Sequence, residues 1–497
     1  MKLSIYSAGM TNPIQLVPPP TQAAARSPAH SLRTILVILS LAGFMANLDV
    51  FIVNVAFDKI AANFPGSSTS DVSWVLSAYA IIFAALLVPF GRLADRFGRK
   101  RVFLLGLGLF TGASVACGAA PGLWWLVVFR VLQAAGAAAL TPTSLGLLLA
   151  AVPGEKRLHY VRIWSAVAAV AAAAGPVLGG LLVTASWRWV FLVNLPIGIF
   201  AIVAAQRWVP DSRDTSVTRM PDMIGAALLT VSIGSLALAI VKGGDWGWSD
   251  GKTIAGFVVA GLLLAAFRWR AEHHPVPVID PGLYRVRTFA AANLAMVTFG
   301  LGMSAYLLIT VLWMQNVWHW PVITTGFALA PAPAMVPIVT VLAQRLARKI
   351  PASYLSAAGC VVFAGGTILT LSLIGPHGSD YASELLPGHL LVGIGIGFTL
   401  PTILSSATHE LPPDRASTGS AVINMARQIG FVLGVSVLVA ILGSPATYHA
   451  AHIAFVHGWW TIAAVELAAA AACLGIVRRR RPNPQEQQHA RTERNAA

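Results

Sequence analysis

The charged stretch that decides the fold reads Gly91-Arg92-Leu93-Ala94-Asp95-Arg96-Phe97-Gly98-Arg99-Lys100-Arg101. It lies between two apolar runs, roughly residues 72–90 and 102–120, each long enough to cross a bilayer as a helix. Because charged residues are expelled from the hydrocarbon core, the stretch is predicted to be a short loop joining two membrane helices on one face. A solvated basic loop that only sets orientation is the alternative for these residues.

The composition of the chain places it in a membrane. Of its 497 residues, 56% are hydrophobic and 11% are charged, and the mean hydropathy is +0.72. Soluble proteins carry about 25% charged residues, so a soluble class is excluded. A net charge of +15 would suggest nucleic acid as the partner of a soluble protein. In a membrane protein the same charge follows from basic cytoplasmic loops, and no nucleic-acid partner is expected.

Fourteen apolar runs follow a polar tail over residues 1–31. Each run holds about 20 residues, the length that a helix needs to cross a bilayer. The tail has no pattern of a removed signal peptide and is predicted to be disordered in the cytoplasm. The predicted spans cover residues 34–56, 72–90, 102–120, 122–150, 162–184, 188–207, 222–241, 253–270, 289–313, 322–342, 353–375, 386–407, 417–442 and 456–477.

The distribution of Lys and Arg predicts the orientation of the chain. With the N-terminus inside, the cytoplasmic segments hold 28 of the 34 cationic residues, including those of a basic tail over residues 478–497. The opposite face holds only Lys59, Arg188, Lys242 and Lys252. Because basic loops remain in the cytoplasm, both termini are predicted to be cytoplasmic.

An internal repeat relates the first six spans to the last six. Three short matches recur in the same order at offsets between 253 and 260 residues: Gly91-Arg92-Leu93-Ala94 as Gln344-Arg345-Leu346-Ala347, Leu140-Thr141-Pro142-Thr143 as Thr399-Leu400-Pro401-Thr402, and Gly175-Pro176-Val177-Leu178-Gly179 as Gly430-Phe431-Val432-Leu433-Gly434. The repeat predicts two homologous six-helix bundles. The predicted domains are an N-terminal bundle over residues 32–207, an inserted helix pair with flanking loops over 208–288, and a C-terminal bundle over 289–477.

Four charged residues lie inside the predicted spans: Asp49, Arg130, Arg427 and Glu466. A charge at mid-bilayer costs several kcal/mol unless it faces a partner or a wet cavity. Asp49 is therefore a candidate carboxylate that binds and releases a proton, since burial and a nearby cation act on its proton affinity in opposite directions. The alternative is an acid held by hydrogen bonds that locks helices together. Asn54 lies on another face of the same helix, where it serves packing or lines a substrate cavity.

Arg130 and Gln133 are three residues apart and share one face of the fourth span. A cation and an amide at this place would bias the protonation of a carboxylate or receive a substrate anion. An arginine that only braces two helices is the alternative.

A second polar face is predicted late in the chain. Asn424, Arg427 and Gln428 share one side of the thirteenth span, and Glu466 of the fourteenth span opposes them in charge. A salt bridge between Arg427 and Glu466 is favoured over a second proton site. Asn424, Gln428 and Glu466 join Asn54 and Gln133 as tentative residues of the substrate cavity.

The fifth span carries Gly175-Pro176 followed by Gly179-Gly180. Pro176 lacks a backbone donor, and the glycines allow a neighbouring helix to approach closely. The four residues therefore predict a kink and a packing point.

Motifs for other kinds of chemistry are missing from the sequence. There is no Gly-x-x-x-x-Gly-Lys-Ser/Thr phosphate loop, zinc-protease helix or nucleophile elbow, so hydrolytic activity is not expected. Cys117, Cys360 and Cys473 lie in apolar runs without metal-ligand spacing and are interpreted as membrane-buried thiols. The chain is predicted not to be an enzyme and to need no cofactor or metal. Secondary transport is what remains, and a proton gradient is the energy source expected for it.

The chain resembles the major facilitator superfamily, in its branch of fourteen-span drug:proton antiporters of the multidrug efflux type. The likeness covers residues 32–477, and the stretches that carry it share motif positions of the family: Leu48-Asp49 with Ile52 to Ala56, Trp74-Val75 with Tyr79, the 91–101 stretch, Arg130 with Gln133 and Gly136, Gly175-Pro176 with Gly179-Gly180, and Trp187 to Gly198. The last of these is highly specific for the branch.

The resemblance implies an all-α integral membrane protein of the major facilitator fold in the bacterial inner membrane. It implies that Asp49 and Arg130 take part in proton coupling. It also implies that Asp95, Arg96 and Arg99 form a charge relay that stabilises the outward-open state. The cytoplasmic gate loop that holds this relay also includes Gly91, Gly98 and Lys100.

Some positions depart from the family pattern. Val50-Phe51 stands where the family usually has a small polar residue and Thr, so the surroundings of Asp49 are expected to be bulkier and more apolar. The C-terminal copy of the charged loop lacks an acid at the position of Asp95. His389 falls opposite Arg130 in the repeat and is interpreted as an interfacial histidine near the start of its span.

The function implied is a proton-coupled antiporter that exports amphipathic or cationic small molecules by alternating access. The expected partners are a small-molecule substrate, protons and the lipid bilayer. The chain is expected to be a monomer, and the use of accessory efflux proteins stays open. One alternative is a dedicated exporter of a single metabolite or self-made antibiotic. Another, of a different class, is a non-transporting membrane sensor or scaffold on the same fold.

Overall fold

The computed structural model describes residues 32–213, 220–347, 349–375, 380–409, 411, 413–443 and 448–476. Within these residues every regular element is a helix. The predicted tails over 1–31 and 478–497 lie outside the described residues.

The first half of the chain forms eight α-helices, which we call the N-terminal half. They are α1 (Leu32–Val55), α2 (Phe57–Asn63), α3 (Thr69–Phe97), α4 (Arg99–Gly118), α5 (Leu123–Ala151), α6 (Arg157–Ala185), α7 (Trp189–Leu192) and α8 (Asn194–Trp208). Two further helices form the inserted pair, α9 (Met223–Trp246) and α10 (Gly251–His273).

The remaining seven α-helices form the C-terminal half. They are α11 (Arg287–Leu312), α12 (Val322–Leu329), α13 (Pro331–Leu346), α14 (Ala352–Leu373), α15 (Leu386–His409), α16 (Pro413–Leu442) and α17 (Tyr448–Leu474). Short π-helical turns extend two of them, Trp313–Val317 after α11 and Tyr381–Leu385 before α15. Short 3-10 turns lie at Gly154–Lys156 and Pro281–Arg285.

Each predicted span overlaps one of these helices or, for spans 188–207 and 322–342, two consecutive ones. Among the described residues, 13 helices are long and apolar enough to cross a membrane. The predicted fifth span falls in α6, of which the part Val170–Ala185 is an apolar helix below the length of the others. The expectation of an all-α integral membrane protein is confirmed, and the count of fourteen spans stays a prediction.

The prediction of a loop over residues 91–101 is wrong. Helix α3 continues to Phe97 and α4 begins at Arg99, so only Gly98 separates them. Gly98 has φ +107°, a conformation that L side chains rarely adopt, and this one residue makes the turn. The charged residues lie on the ends of two helices, because the last turn of a span extends into the polar interface. We call the side of the protein that carries residues 91–101 the basic face and the opposite side the distal face.

Each half repeats the same packing of a glycine-rich helix on its first helix. In the N-terminal half, Gly175 of α6 lies against Phe51 of α1. In the C-terminal half, Gly430 of α16 lies against Leu301 of α11. A side chain at either glycine would overlap the neighbouring helix, so glycine allows the close approach. The halves meet where α16 packs on α3 and α12 packs on α6.

The inserted pair lies beside the junction of the two halves. Helix α9 packs on α10 and also contacts both α3 and α16. Near the distal face, Lys242 of α9 forms an ion pair with Asp71 of α3 at 2.9 Å. At the other end of the pair, Arg270 donates to Asp222 at 2.7 Å. The domain boundaries at residues 207, 208, 288 and 289 stay predictions.

Candidate functional site

The first part of the site is a carboxylate enclosed in the N-terminal half. Asp49 of α1 has no solvent exposure. Its Oδ2 accepts a hydrogen bond from Nη1 of Arg130, and the two side chains form an ion pair. Its Oδ1 accepts a hydrogen bond from Nε2 of Gln133 at 2.8 Å. Both oxygens are therefore satisfied by α5, which crosses behind α1.

Arg130 is held in place from several sides. It is 1% exposed, its Nε donates to the backbone oxygen of Val75 at 3.1 Å, and its Nη1 also donates to Oε1 of Gln133 at 2.8 Å. Its guanidinium lies over the ring of Tyr79 at 4.1 Å from the centroid. The guanidinium is thus oriented by α1, α3 and α5 together, which a cation at this depth requires.

Further amides and hydroxyls extend the network towards α8. Gln133 Nε2 also donates to Ser114 Oγ at 3.1 Å, and the amide of Asn194 donates to the same oxygen at 3.1 Å. Ser114 Oγ in turn donates to the backbone oxygen of Phe191 at 2.8 Å. We call Asp49, Arg130, Gln133, Ser114 and Asn194 the acid network. Every member is buried.

Small residues bring these helices close enough for the network to form. A Cβ at Gly136 of α5 would lie 2.8 Å from the Cα of Phe110 in α4. A Cβ at Gly106 of α4 would lie 3.1 Å from the oxygen of Gly136. The two backbones therefore touch at these glycines. This approach places Ser114, two turns further along α4, beside Gln133.

A small cavity lies between the two halves, next to the acid network. Its volume is about 40 Å³, enough for water but far below the roughly 300–1,000 Å³ of a drug-sized site. Arg130 and Tyr79 form part of its wall, whereas Asp49 does not. The other lining residues are mostly apolar and come from both halves: Val50, Phe51, Asn54, Leu76, Ser77, Ala80, Met303, Ser304, Leu307, Gln428, Phe431 and Val435.

The tentative substrate residues lie in different places. Asn54 and Gln428 line this cavity. Gln133 belongs to the acid network, and Asn424 donates to the backbone oxygen of Ser420 at 2.9 Å. Neither of these, nor Glu466, lines the cavity. Their contact with a substrate stays a prediction.

The predicted salt bridge between Arg427 and Glu466 is wrong. Both residues are described, and no ion pair joins them. Glu466 has no exposure, and neither of its carboxylate oxygens has a hydrogen-bond partner. Arg427 lies over Phe431 at 6.0 Å from the ring centroid, and its Nε is buried without a partner. Opposite charges on consecutive spans do not determine which way each side chain turns.

His389 is not an interfacial side chain. It is 2% exposed and lies among the helices of the C-terminal half. One ring nitrogen is 2.8 Å from the hydroxyl of Tyr306, and the other is 3.2 Å from the backbone oxygen of Leu329. At the repeat position where the N-terminal half has Arg130 with an acid, the C-terminal half thus has a histidine with a phenol.

The charged residues of the basic face form local contacts. Asp95 and Arg99 form an ion pair at 2.8 Å across Gly98, and both side chains are about one quarter exposed. Lys100 donates to the backbone oxygen of Gln206 at 2.9 Å. Arg96 lies over Phe97 and has no ion pair among the described residues. Of the three residues of the predicted relay, Asp95 and Arg99 form an ion pair with each other, and the role of the relay stays a prediction.

Three contacts of glycines complete the predicted motifs. A Cβ at Gly91 would touch Pro142 at 3.4 Å, which marks the packing of α3 on α5. A Cβ at Gly180 would lie 2.9 Å from the backbone oxygen of Val322, and Gly179 lies against Ile52. Helix α6, which contains Pro176 within it, is therefore held between α1 of its own half and α12 of the other half.

Sequence reasoning missed three residues of the site. Tyr79 and Asn194 lie within stretches that carry the family resemblance, so their position was a usable signal. Ser114 is a single hydroxyl in an apolar run, and nothing in the sequence distinguishes it from a helix-packing serine. Among the described residues no cluster of His, Cys, Asp or Glu could hold a metal ion, and all three cysteines are free and buried.

One titratable group outside the spans is perturbed. Asp58, in α2 at the distal face, is partly enclosed, and its Oδ2 has no hydrogen-bond partner. Burial raises the pKa of Asp58 from 3.8 to about 6, and the neighbouring charge of Lys59 opposes this rise.

Comparison with known proteins identifies the family. The model of the Major Facilitator Superfamily matches residues 39–435. The chain is 34% identical over 412 residues to the multidrug resistance protein Stp of Mycobacterium tuberculosis (strain CDC 1551 / Oshkosh), covering 82% of this chain and 75% of that protein. It is 31% identical over 419 residues to the methylenomycin A resistance protein of Bacillus subtilis (strain 168), covering 84% of this chain and 89% of that protein.

Solved structures agree with this assignment at the level of the fold. The crystal structure of a D-xylose-proton symporter superposes with a TM-score of 0.65 at 13% identity, over 90% of this chain and 98% of the other. At this identity the likeness concerns the fold alone. The chain is a multi-pass membrane protein, and it belongs to the major facilitator superfamily of transporters.

Proposed function

We propose that this protein is a proton-coupled antiporter that exports amphipathic or cationic small molecules by alternating access. The observation that carries the proposal is the enclosed pair of Asp49 and Arg130 at the wall of the cavity between the halves. A carboxylate and a cation buried at this depth are costly to keep for packing alone. Their position beside a cavity that both halves line suits a coupling site.

Arg130 stands between the cavity and the acid. Its guanidinium contacts Asp49 on one side and lines the cavity on the other, whereas Asp49 is hidden from the cavity. A proton that binds Asp49 neutralises the carboxylate and removes the attraction that holds Arg130. The guanidinium, still bonded to the oxygen of Val75, then turns its charge towards the cavity. Protonation of Asp49 in this way changes the charge that faces a molecule in the cavity.

The two halves close the cavity at both faces. At the basic face, Arg92 of α3 donates to Thr418 of α16 at 3.1 Å. At the distal face, Gln315 donates to the backbone oxygen of Val55 at 3.3 Å. Each contact is a single hydrogen bond of about 1 kcal/mol, and rocking of one half against the other would break one of them as that face opens. The conformation is closed on both sides, and a substrate needs one of them to open.

The walls of the cavity favour an amphipathic substrate. Phe51, Tyr79 and Phe431 offer aromatic surfaces, and Met303 adds an adaptable thioether. Polar contacts come from a few amides and hydroxyls. Aromatic faces attract cations.

The test is efflux of a lipophilic cation from proteoliposomes under an imposed pH gradient. Wild type is expected to move the cation with the gradient, and Asp49→Asn is expected to lose gradient-driven flux. The matched control is Asp250→Asn, which changes an exposed helix-capping carboxylate at the start of α10 and keeps its capping ability. Equal flux in wild type and Asp49→Asn would contradict coupling through Asp49.

A dedicated exporter of one metabolite or self-made antibiotic is the second candidate. It is favoured by the relative in Bacillus subtilis, which is named for resistance to the single antibiotic methylenomycin A. A panel of chemically unrelated cations and neutral drugs separates the two candidates. Flux of one compound class only would support the dedicated exporter, and flux of none in sound vesicles would favour a non-transporting sensor or scaffold.

The cellular setting follows from the same proposal. Relatives of this chain are bacterial proteins, and the basic face has the charge expected of a cytoplasmic side. We place the protein in the bacterial cytoplasmic membrane with both termini inside. Protons, the substrate and lipid are its partners, and it works as a monomer without a cofactor. Cysteine accessibility on the two faces in whole cells checks the orientation.

A further inference from the structure

The C-terminal half contains a carboxylate that the proposed mechanism does not use. Glu466 lies in the second half of α17, has no exposure, and neither of its oxygens has a hydrogen-bond partner. It is packed directly on the backbone of α11, where a Cβ at Gly302 would lie 3.0 Å from the Cγ of Glu466. The glycine therefore leaves room for this side chain.

No cation compensates Glu466 in this conformation. The groups beside it are the thiols of Cys360 in α14 and Cys473 in α17. The phenol of Tyr306 in α11 is directed to His389, and Arg427 in α16 lies over Phe431. No ion pair of Glu466 exists among the described residues. Asp49, by contrast, accepts hydrogen bonds from the cation Arg130 and from the amide of Gln133.

An ionised carboxylate without a partner is costly to bury inside a membrane protein. A protonated carboxyl costs far less, because it carries no net charge and its hydroxyl can face a thiol. The enclosed site of Glu466 therefore suits the neutral acid, and a proton must be present for the side chain to rest where it does.

Glu466 packs against a part of α11 that continues to the cavity between the halves. Gly302, against which it packs, is followed by Met303 and Ser304, which line the cavity between the halves. A movement of α11 against α17 within this half, in addition to the rocking of the halves, would admit water to the carboxyl.

We propose that Glu466 is a second proton-binding site, which holds its proton in this closed conformation and releases it to water when α11 and α17 separate. The inference rests on the proposed proton antiport. On release the O–H bond breaks, the proton passes to water, and the carboxylate remains. Arg427, the only other charged residue in the predicted spans of this half, is the counter-ion available to it. Each transport cycle then carries one proton on Asp49 and another on Glu466.

The first measurement is infrared difference spectroscopy of the reconstituted protein without substrate. The carbonyl band of a protonated carboxyl is expected in wild type and in Asp49→Asn, and it is expected to disappear in Glu466→Gln. This readout does not depend on flux, so it remains decisive if the proposed antiport is wrong. A spectrum of Glu466→Gln that equals wild type would overturn the inference.

The second measurement is the ratio of protons to substrate moved in proteoliposomes. Glu466→Gln, which imitates the protonated acid, is expected to keep gradient-driven flux but to move about half as many protons per substrate. Glu466→Asp keeps a titratable group and is expected to retain a ratio closer to wild type. An unchanged ratio in Glu466→Gln would contradict the second site, whereas loss of coupling in Asp49→Asn alone concerns the proposed function.

Discussion

The two halves of this protein each bury a carboxylate inside a membrane span, Asp49 on α1 and Glu466 on α17, and they satisfy it differently. In the N-terminal half, Asp49 receives a guanidinium from Arg130 and an amide from Gln133. In the C-terminal half, Glu466 lies on the backbone of Gly302, and neither of its oxygens has a hydrogen-bond partner. The packing of glycines on the first helix is the same in both halves, so the difference is one of charge compensation.

The two copies of the repeat therefore hold their buried carboxyl groups in environments that favour different charge states. A paired carboxylate can remain ionised in the closed conformation, whereas an unpaired one is far less costly as a neutral acid. The repeat position of Arg130 is occupied by His389, which bonds to Tyr306 instead of to an acid. Two copies of one helical framework thus hold two carboxyls suited to opposite charge states.

The largest expected effect on stability comes from removing Arg130, the cation of the N-terminal half. Arg130→Met leaves Asp49 buried and unpaired, which typically costs about 3–5 kcal/mol in unfolding free energy. Arg427→Met breaks no ion pair and is the matched control, with a much smaller expected loss. Thermal unfolding in detergent measures both.

The double variant Asp49→Asn with Arg130→Met sharpens this test. Removing both charges leaves no uncompensated ion, so the double variant is expected to be more stable than Arg130→Met alone. Equal loss in Arg130→Met and Arg427→Met would show that the two halves do not differ in the way described.

A smaller effect is expected from filling the space beside Glu466. Gly302→Ala places a methyl group against the carboxyl, and such overpacking costs about 1–3 kcal/mol. Gly108→Ala, in α4 at a glycine with nothing within 4 Å, is the control and is expected to be neutral or slightly stabilising. Adding Glu466→Ala to Gly302→Ala is expected to restore part of the loss, and no restoration would mean that Glu466 is not the group the methyl meets.

The ion pair on the basic face is expected to contribute little to stability. Asp95→Asn breaks the pair with Arg99, whose side chains are about one quarter exposed, and the cost is about 0.3–0.5 kcal/mol. We still expect reduced flux with folded protein in the membrane, because the pair joins the ends of α3 and α4 where the halves close. Flux assayed at equal amounts of membrane protein checks this, and normal flux would contradict a gating role. The repeat position of Asp95 is Arg348, which lies outside the described residues.

The smallest effect concerns pH at the distal face of the N-terminal half. Because burial raises the pKa of Asp58 to about 6, the folded state binds this proton more tightly than the unfolded state does. The contribution of Asp58 to stability is therefore present at low pH and decreases as pH rises from about 4 to about 6. Asp58→Asn is expected to flatten this part of the pH dependence of the melting temperature. A profile identical to wild type between these values would show that Asp58 does not titrate there.

Much of the fold could be predicted from local pattern. A span is an apolar run of about 20 residues, so its existence depends on residues that are neighbours in the chain. Each predicted span accordingly overlaps a helix of the structure. The boundary at the charged stretch was wrong because charge density shows where the chain leaves the hydrocarbon core, and a helix need not end there. Only Gly98 carried the information that the turn is a single residue.

The candidate site could be predicted in part. Arg130 and Gln133 share a helix face by their spacing, and the structure joins them at 2.8 Å. Their meeting with Asp49 depends on how α1 crosses α5, which no local period encodes. The pairing of Arg427 with Glu466 failed for the same reason, since it required knowledge of the orientation of two helices.

By itself, the sequence determined that this is a membrane protein, where its helices lie, which charges are buried and to which family the pattern is similar. These features depend on apolar length, on the cost of a charge in hydrocarbon and on short motifs, all of which are local. Only the tertiary structure decided that Asp49 is compensated and Glu466 is not. Charge compensation depends on distances of a few ångströms between different helices, and those distances arise from the close packing that Gly106, Gly136 and Gly302 permit.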